Sequence, residues 1–135
     1  MLLTHKHIDH IGNAWRIQRE SGAEVYIHDC ERKSLTEVDP SGKRFVEMVQ
    51  RKIESWGVPS ELLQKSQGTK MPQWQLEPCE VLALPEQFSI ELDGRVATME
   101  VIETPGHSMG SVCFRLGDCL FSGDHILERL SLIHI

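Results

Sequence analysis

The chain is predicted to fold as an α/β protein, on three observations. Short apolar runs of strand length alternate with stretches whose apolar residues recur at helical spacing. The helical stretches are punctuated by Gly or Asp turns. Histidines and aspartates collect where the strand-like runs end.

Taken in order, Met1-Leu2-Leu3 reads as the end of a buried strand, with the polar run after it on the loop that leaves that strand. Asn13 to Ser21 is a helix capped at Asn13 and stopped at Gly22, followed by a strand over Glu24–His28. Asp29 caps a short helix through Leu35, and Asp39-Pro40-Ser41-Gly42 is a turn. Beyond it Phe45, Val46, Val49, Ile53 and Trp56 define an amphipathic helix ending near Gly57. Pro59-Ser60 starts another that carries Leu62 and Leu63, so 43–67 is a helical segment. From Glu80 onward strands take over. Val96–Ile102 is one, and a tight Gly117-Asp118 turn joins Val112–Leu116 to Cys119–Ser122. No internal repeat is present, and one domain accounts for the pattern.

Composition narrows the class. The 135 residues are 40% hydrophobic and 25% charged, the profile of a soluble globular protein. No apolar run approaches the ~18 residues that span a bilayer. The net charge is −6, from 20 acidic and 14 basic residues with no basic cluster, which argues against a nucleic-acid partner and against a membrane surface. Cys30, Cys79, Cys113 and Cys119 lack Cys-x-x-Cys spacing and read as buried free thiols, which places the protein in a reducing, cytoplasmic compartment.

The densest chemistry lies in Thr4-His5-Lys6-His7-Ile8-Asp9-His10, which packs three imidazoles and a carboxylate together. On extended backbone, side chains two apart point the same way, so His5 groups with His7. Asp9 and His10 then turn to face a second point. Imidazole nitrogen suits zinc, copper, iron and nickel, and carboxylate suits harder ions. The mixed set therefore favours zinc, with iron or manganese possible. Two later segments join in: His107 on the Pro105-Gly106 turn after a strand, and Asp124 at the end of Cys119-Leu120-Phe121.

Together these motifs resemble those of the metallo-β-lactamase superfamily. Thr4 to His10 matches its His-x-His-x-Asp-His motif, Thr104 to His107 its Pro-Gly-His turn, and Ser122 to Asp124 its Gly-Asp segment, in the same order over nearly the whole chain. The resemblance implies an αββα sandwich. It implies that His5, His7 and His107 hold one metal, that Asp9 and His10 hold a second, and that Asp124 bridges both, with two zinc ions per intact domain. Gly123-Asp124-His125-Ile126-Leu127 further resembles a branch of metal-dependent hydrolases whose label names no substrate.

Family domains place several strands before the first histidine motif and a further histidine ligand well after the Gly-Asp segment, a part for which His134 lies too close. The expectation is thus a partial αββα sandwich over residues 1–130, lacking N-terminal strands and the C-terminal part. The tail 131–135 shows no link to the family.

The implied reaction is hydrolysis by a metal-bound hydroxide, with Asp9 as the catalytic residue that orients it and no serine or cysteine nucleophile. A small-molecule substrate is expected, first a thioester or another small ester or lactone. The alternatives are a nuclease of the same superfamily and a non-catalytic truncated fragment. Phe45, Met48, Trp56 and Trp74 are placed either in an apolar pocket or, preferably, against the sheet, because apolar helix faces are usually core. His28 is read as a surface or hydrogen-bonded residue, and His125 as a support beside Asp124.

Overall fold

The computed structural model describes residues 1–39, 43–59 and 77–127. The chain divides into two units, Met1–Val38 with Glu77–Ile135, and Asp39–Leu76. All the candidate ligands belong to the first.

Its entry is a single bridge instead of a full strand: Leu2 pairs in parallel with Tyr26, and the Tyr26 and Leu3 amides donate to the Met1 and Tyr26 carbonyls, both at 2.9 Å. Leu3 is buried, as an apolar strand end should be. The segment after it corrects the loop expectation. His7 keeps extended backbone, but a helical turn, α1 (Ile8–Ile11), begins directly behind it. His5 and His7 therefore leave extended chain, while Asp9 and His10 leave a helix, and that change of backbone carries the second pair off in another direction.

The next helix, α2 (Ala14–Ser21), stops at Gly22 as its sequence predicts. Asn13 precedes it without a side-chain capping bond, because its φ of −104° and ψ of 2° are not the extended geometry that aims a cap at the first-turn amides. The strand that follows, β1 (Tyr26–Ile27), is shorter than predicted. A 3₁₀ turn at Asp29–Glu31 and the short helix α3 (Lys33–Thr36) replace the single helix expected there. Its cap is also different: His28 Nδ1, not Asp29, accepts from the Cys30 amide.

In the second unit lies α4 (Lys43–Ser55), with Met48 on it and Trp56 just beyond it both exposed. The Phe45 side chain, the proposed helix from Ser60 with Leu62 and Leu63, Trp74, His134 and the tail 131–135 lie outside what is described.

The first unit resumes with β2 (Leu82–Ala83), parallel to β1, then β3 (Gln87–Leu92), β4 (Arg95–Glu103), β5 (Val112–Leu116) and β6 (Cys119–Phe121). The last four form an antiparallel meander in chain order. The predicted turn at Gly117-Asp118 joins β5 to β6. Tyr26 of one sheet meets Phe88 of the other edge to face, ring centroids 4.9 Å apart. Leu3, Ile11, Ala14, Val25, Ile27, Leu35 and Val81 form the core beside the small sheet. All four cysteines are free, but only Cys113 is buried, and Cys30 and Cys119 are exposed. One further bond positions the site: the Val112 amide donates to the Thr4 carbonyl at 2.9 Å, fastening the start of β5 to the residue before His5.

Candidate metal centre

That fastening brings His107 to the first motif. The connection from β4 to β5 is a compact turn, closed by the Thr104 amide on the Ser111 carbonyl and by the Ser108 amide on Ser111 Oγ at 3.0 Å. The Ser108 and Ser111 hydroxyls, both buried, hydrogen-bond each other at 2.8 Å. A turn with its polar groups satisfied internally can hold one conformation without water, and His107 projects from it. Across the site, Gly123 takes φ +50°, and a Cβ there would stand 2.6 Å from Thr4 Oγ1. Only glycine lets the Asp124 turn pass so close to the Thr4 side chain.

The ring nitrogens converge. His107 Nε2 lies 2.7 Å from His7 Nδ1, and His5 Nε2 lies 3.1 Å from the same His7 Nδ1. Asp124 joins them with Oδ2, 3.4 Å from His107 Nε2 and 3.9 Å from His5 Nε2, and turns Oδ1 to His10 Nε2 at 3.2 Å. His10 Nε2 is also 3.7 Å from Asp9 Oδ2. Two groups of donor atoms result, His5/His7/His107/Asp124 and Asp9/His10/Asp124, each with all its atoms within 4.8 Å of one another. Asp124 belongs to both.

The first group fits a metal on its own chemistry. Donors on a tetrahedral zinc lie roughly 3.3 Å apart, close to what these nitrogens show. Hydrogen bonding alone accounts poorly for the cluster, because a single Nδ1 faces two nitrogens and one proton cannot serve both. Thr4 Oγ1 at 3.1 Å from His5 Nδ1 occupies that imidazole's other nitrogen, which orients the ring and leaves Nε2 for the centre. Electrostatics agree. Burial, and after it the charges of His10, His7 and His107, push the His5 pKa down to about 4, against a smaller opposing pull from Asp124. Burial and His107 lower that of His7 as well. Neutral imidazoles with free lone pairs are the form that binds metal.

The structure thus gathers His5, His7, His107 and Asp124 in one cluster and Asp9 and His10 beside it around Asp124, the grouping expected from the sequence. His28 is a hydrogen-bonded residue, with Nδ1 towards Cys30 and Nε2 3.4 Å from Glu103 Oε1. His125 Nδ1 is buried without a partner among the described residues. Sequence reasoning missed Thr4 as a support and missed Glu31, a buried carboxylate bonded to the His107 turn. For Thr4 a hydroxyl directly before the first histidine was a usable signal. For Glu31 there was none, since acidic residues are ordinarily exposed.

Comparison with known proteins gives the family. A family model described as the metallo-beta-lactamase superfamily matches residues 1–132. An uncharacterized protein of Mycobacterium leprae is 33% identical over 132 residues, covering 96% of this chain and 51% of its own. A probable metallo-hydrolase of Bacillus subtilis is 28% identical over 134 residues, covering 95% and 49%. An acyl-coenzyme A thioesterase of Bos taurus is 30% identical over 129 residues, covering 93% and 40%. Among solved structures, the BLEG-1 B3 metallo-beta-lactamase superposes with a TM-score of 0.56 at 25% identity, over 94% of this chain and 50% of that one. The chain spans about half the length of the curated relatives it matches.

Proposed function

The chain belongs to the metallo-beta-lactamase superfamily, and from that premise we propose that it carries the metal centre of a hydrolase acting on a thioester or a similar small ester. The observation behind this reading is the convergence of His5 Nε2, His7 Nδ1, His107 Nε2 and Asp124 Oδ2 on one point, with Asp124 Oδ1 turned to a second group. In this reading His5, His7 and His107 hold one ion, Asp9 and His10 hold another, Asp124 serves both, and zinc suits the nitrogen-rich first position best. Bound divalent metal supplies Lewis-acid polarisation of the scissile carbonyl and an activated water at neutral pH.

The chain's own residues do the rest. Burial keeps His5 and His7 neutral, so they remain ligands at neutral pH. Thr4 fixes the His5 ring. Asp9, with its side chain 68% exposed, stands at the open side, where a carboxylate orients the attacking water and takes up its proton. The thioester preference is supported by the likeness to an acyl-coenzyme A thioesterase. Free thiols fit a cytoplasmic setting. Among the described residues no helix is long and apolar enough to cross a membrane.

The test is steady-state hydrolysis by the protein, stripped with chelator and resupplied with zinc or manganese, of a short-chain acyl-coenzyme A, a lactone and a single-stranded oligonucleotide. Metal-dependent cleavage of the thioester is expected. Cleavage of the oligonucleotide alone would transfer the assignment to a nuclease, and no hydrolysis with either metal would overturn the enzymatic reading.

A further inference from the structure

Glu31 is only 2% exposed, yet it is a carboxylate, and desolvating such a group is costly unless it is bonded. Its bond is specific. Oε1 accepts the Gly110 amide at 2.9 Å, spanning 79 positions of sequence from the 3₁₀ turn after β1 to the turn that carries His107. The approach is as close as a glycine allows: a Cβ on Gly110 would stand 2.6 Å from Glu31 Cγ and 2.9 Å from Cys30 Sγ. Oε2 is buried with no hydrogen-bond partner among the described residues.

We propose that Glu31 is a positioning residue for the metal centre. By holding the Gly110 amide it sets the turn that runs from Gly106 to Ser111, and through that turn the place of His107 Nε2 opposite His7 Nδ1. Beside the bonds within the turn, it is tied by Thr104 to Ser111 at its base, by Val112 to Thr4, and by Gly110 to Glu31. The first closes the base of the turn and the second fastens the start of β5 to the N-terminal segment, while the third ties the turn at Gly110 to the 3₁₀ turn at Asp29–Glu31. Releasing it leaves His107 on a turn that still exists but is free to tilt. The inference rests on the metal-binding reading above.

The experiment measures metal affinity, independent of turnover. Cobalt(II) and zinc are titrated into the metal-free protein, into Glu31→Gln and into Glu31→Ala, with the cobalt visible spectrum reporting the number of nitrogen donors. Glu31→Gln retains a carbonyl oxygen for the Gly110 amide and should bind the first ion within about 3-fold of the parent, with the parent spectrum. Glu31→Ala should bind it about 10- to 100-fold more weakly, the range typical for losing a support behind a ligand, with a spectrum of fewer nitrogen donors.

Leu35→Ala, in the core cluster, is the stability control. An affinity loss in Glu31→Ala no larger than in Leu35→Ala, at equal metal-free melting temperature, would overturn the proposal by showing a merely structural role. Should Glu31→Ala fail to fold, Glu31→Asp decides, because one methylene fewer withdraws the acceptor from Gly110. Weaker binding with an altered cobalt spectrum supports the proposal, and parent-like binding overturns it. If the parent itself binds neither ion, the metal-centre reading falls and this inference with it. If the parent binds tightly and Glu31→Ala is unchanged, only this inference falls.

Discussion

His5 and Asp9 are four positions apart in one motif, yet His5 is 1% exposed and the Asp9 side chain is 68% exposed. The two donor groups around Asp124 differ in the same way. The group with His5, His7 and His107 draws on two distant segments, is partly desolvated, and has its ring orientations set by Thr4 and by the internally bonded His107 turn. The pair Asp9 and His10 comes from one helical turn, with Asp9 exposed and His10 half-buried. On the proposed function, the contrast would separate two jobs. Desolvated, braced imidazoles are suited to hold an ion permanently, because little reorganisation accompanies binding. Exposed donors are suited to exchange water, orient it and admit substrate.

The comparison is broken or sharpened most strongly by removing one ligand from each group. His5→Ala should lower affinity for the first ion by more than about 100-fold, beyond the usual effect of losing a supporting residue. It should also cost about 1–3 kcal/mol of stability, since Thr4 Oγ1 loses its buried partner. His10→Ala should leave the first ion within a few-fold of the parent and empty the second position. Isothermal titration with zinc and elemental analysis after gel filtration measure both. Equal losses in the two variants would show that the groups act as one inseparable site.

A smaller effect is expected at Asp9. Asp9→Ala should reduce thioester turnover by about 10- to 100-fold while shifting stability by no more than about 0.5 kcal/mol, because an exposed side chain on a short helical turn packs against little. Turnover and thermal melting are followed on the same preparation. Undiminished turnover would remove Asp9 from the mechanism.

The gentlest test uses protons. In the metal-free protein the folded His5 pKa is about 4 against an ordinary 6.5. Between those values the unfolded chain binds a proton that the folded chain refuses, so stability is full above about pH 6.5, falls as pH drops towards about 4, and levels off below for this group. Urea melts in the presence of chelator should show that decline. His5→Ala should flatten it in part, His7 being lowered too. An unchanged slope in the variant would mean that burial of His5 does not govern the window.

Much of this was legible in the chain. The motif at His5–His10 announced metal chemistry because few other purposes group such side chains, and His107 and Asp124 stood at turns after recognisable strands. The β5–β6 hairpin followed from a Gly-Asp turn between two apolar runs. Other features were read less well. The helical turn α1 was hidden because Ile8-Asp9-His10-Ile11 is too short for any periodicity to register. Asn13 was expected to cap α2 from residue type alone, whereas capping also needs a backbone angle that the preceding turn denies it. The spacing of Phe45, Val46, Val49, Ile53 and Trp56 marked an apolar helix face without saying what covers it.

By itself the sequence determined the donor types, their order along the chain and the α/β alternation, because these depend on side-chain chemistry and short-range periodicity that each residue carries with it. Tertiary structure alone decided that His107 Nε2 meets His7 Nδ1 across 100 positions, that Asp124 divides its two oxygens between the groups, and that Glu31 is buried against Gly110. Those outcomes depend on loop closure and on backbone hydrogen bonds as remote as that of Val112 with Thr4. Contacts of that range arise from the packing of the whole unit, and no local pattern encodes them.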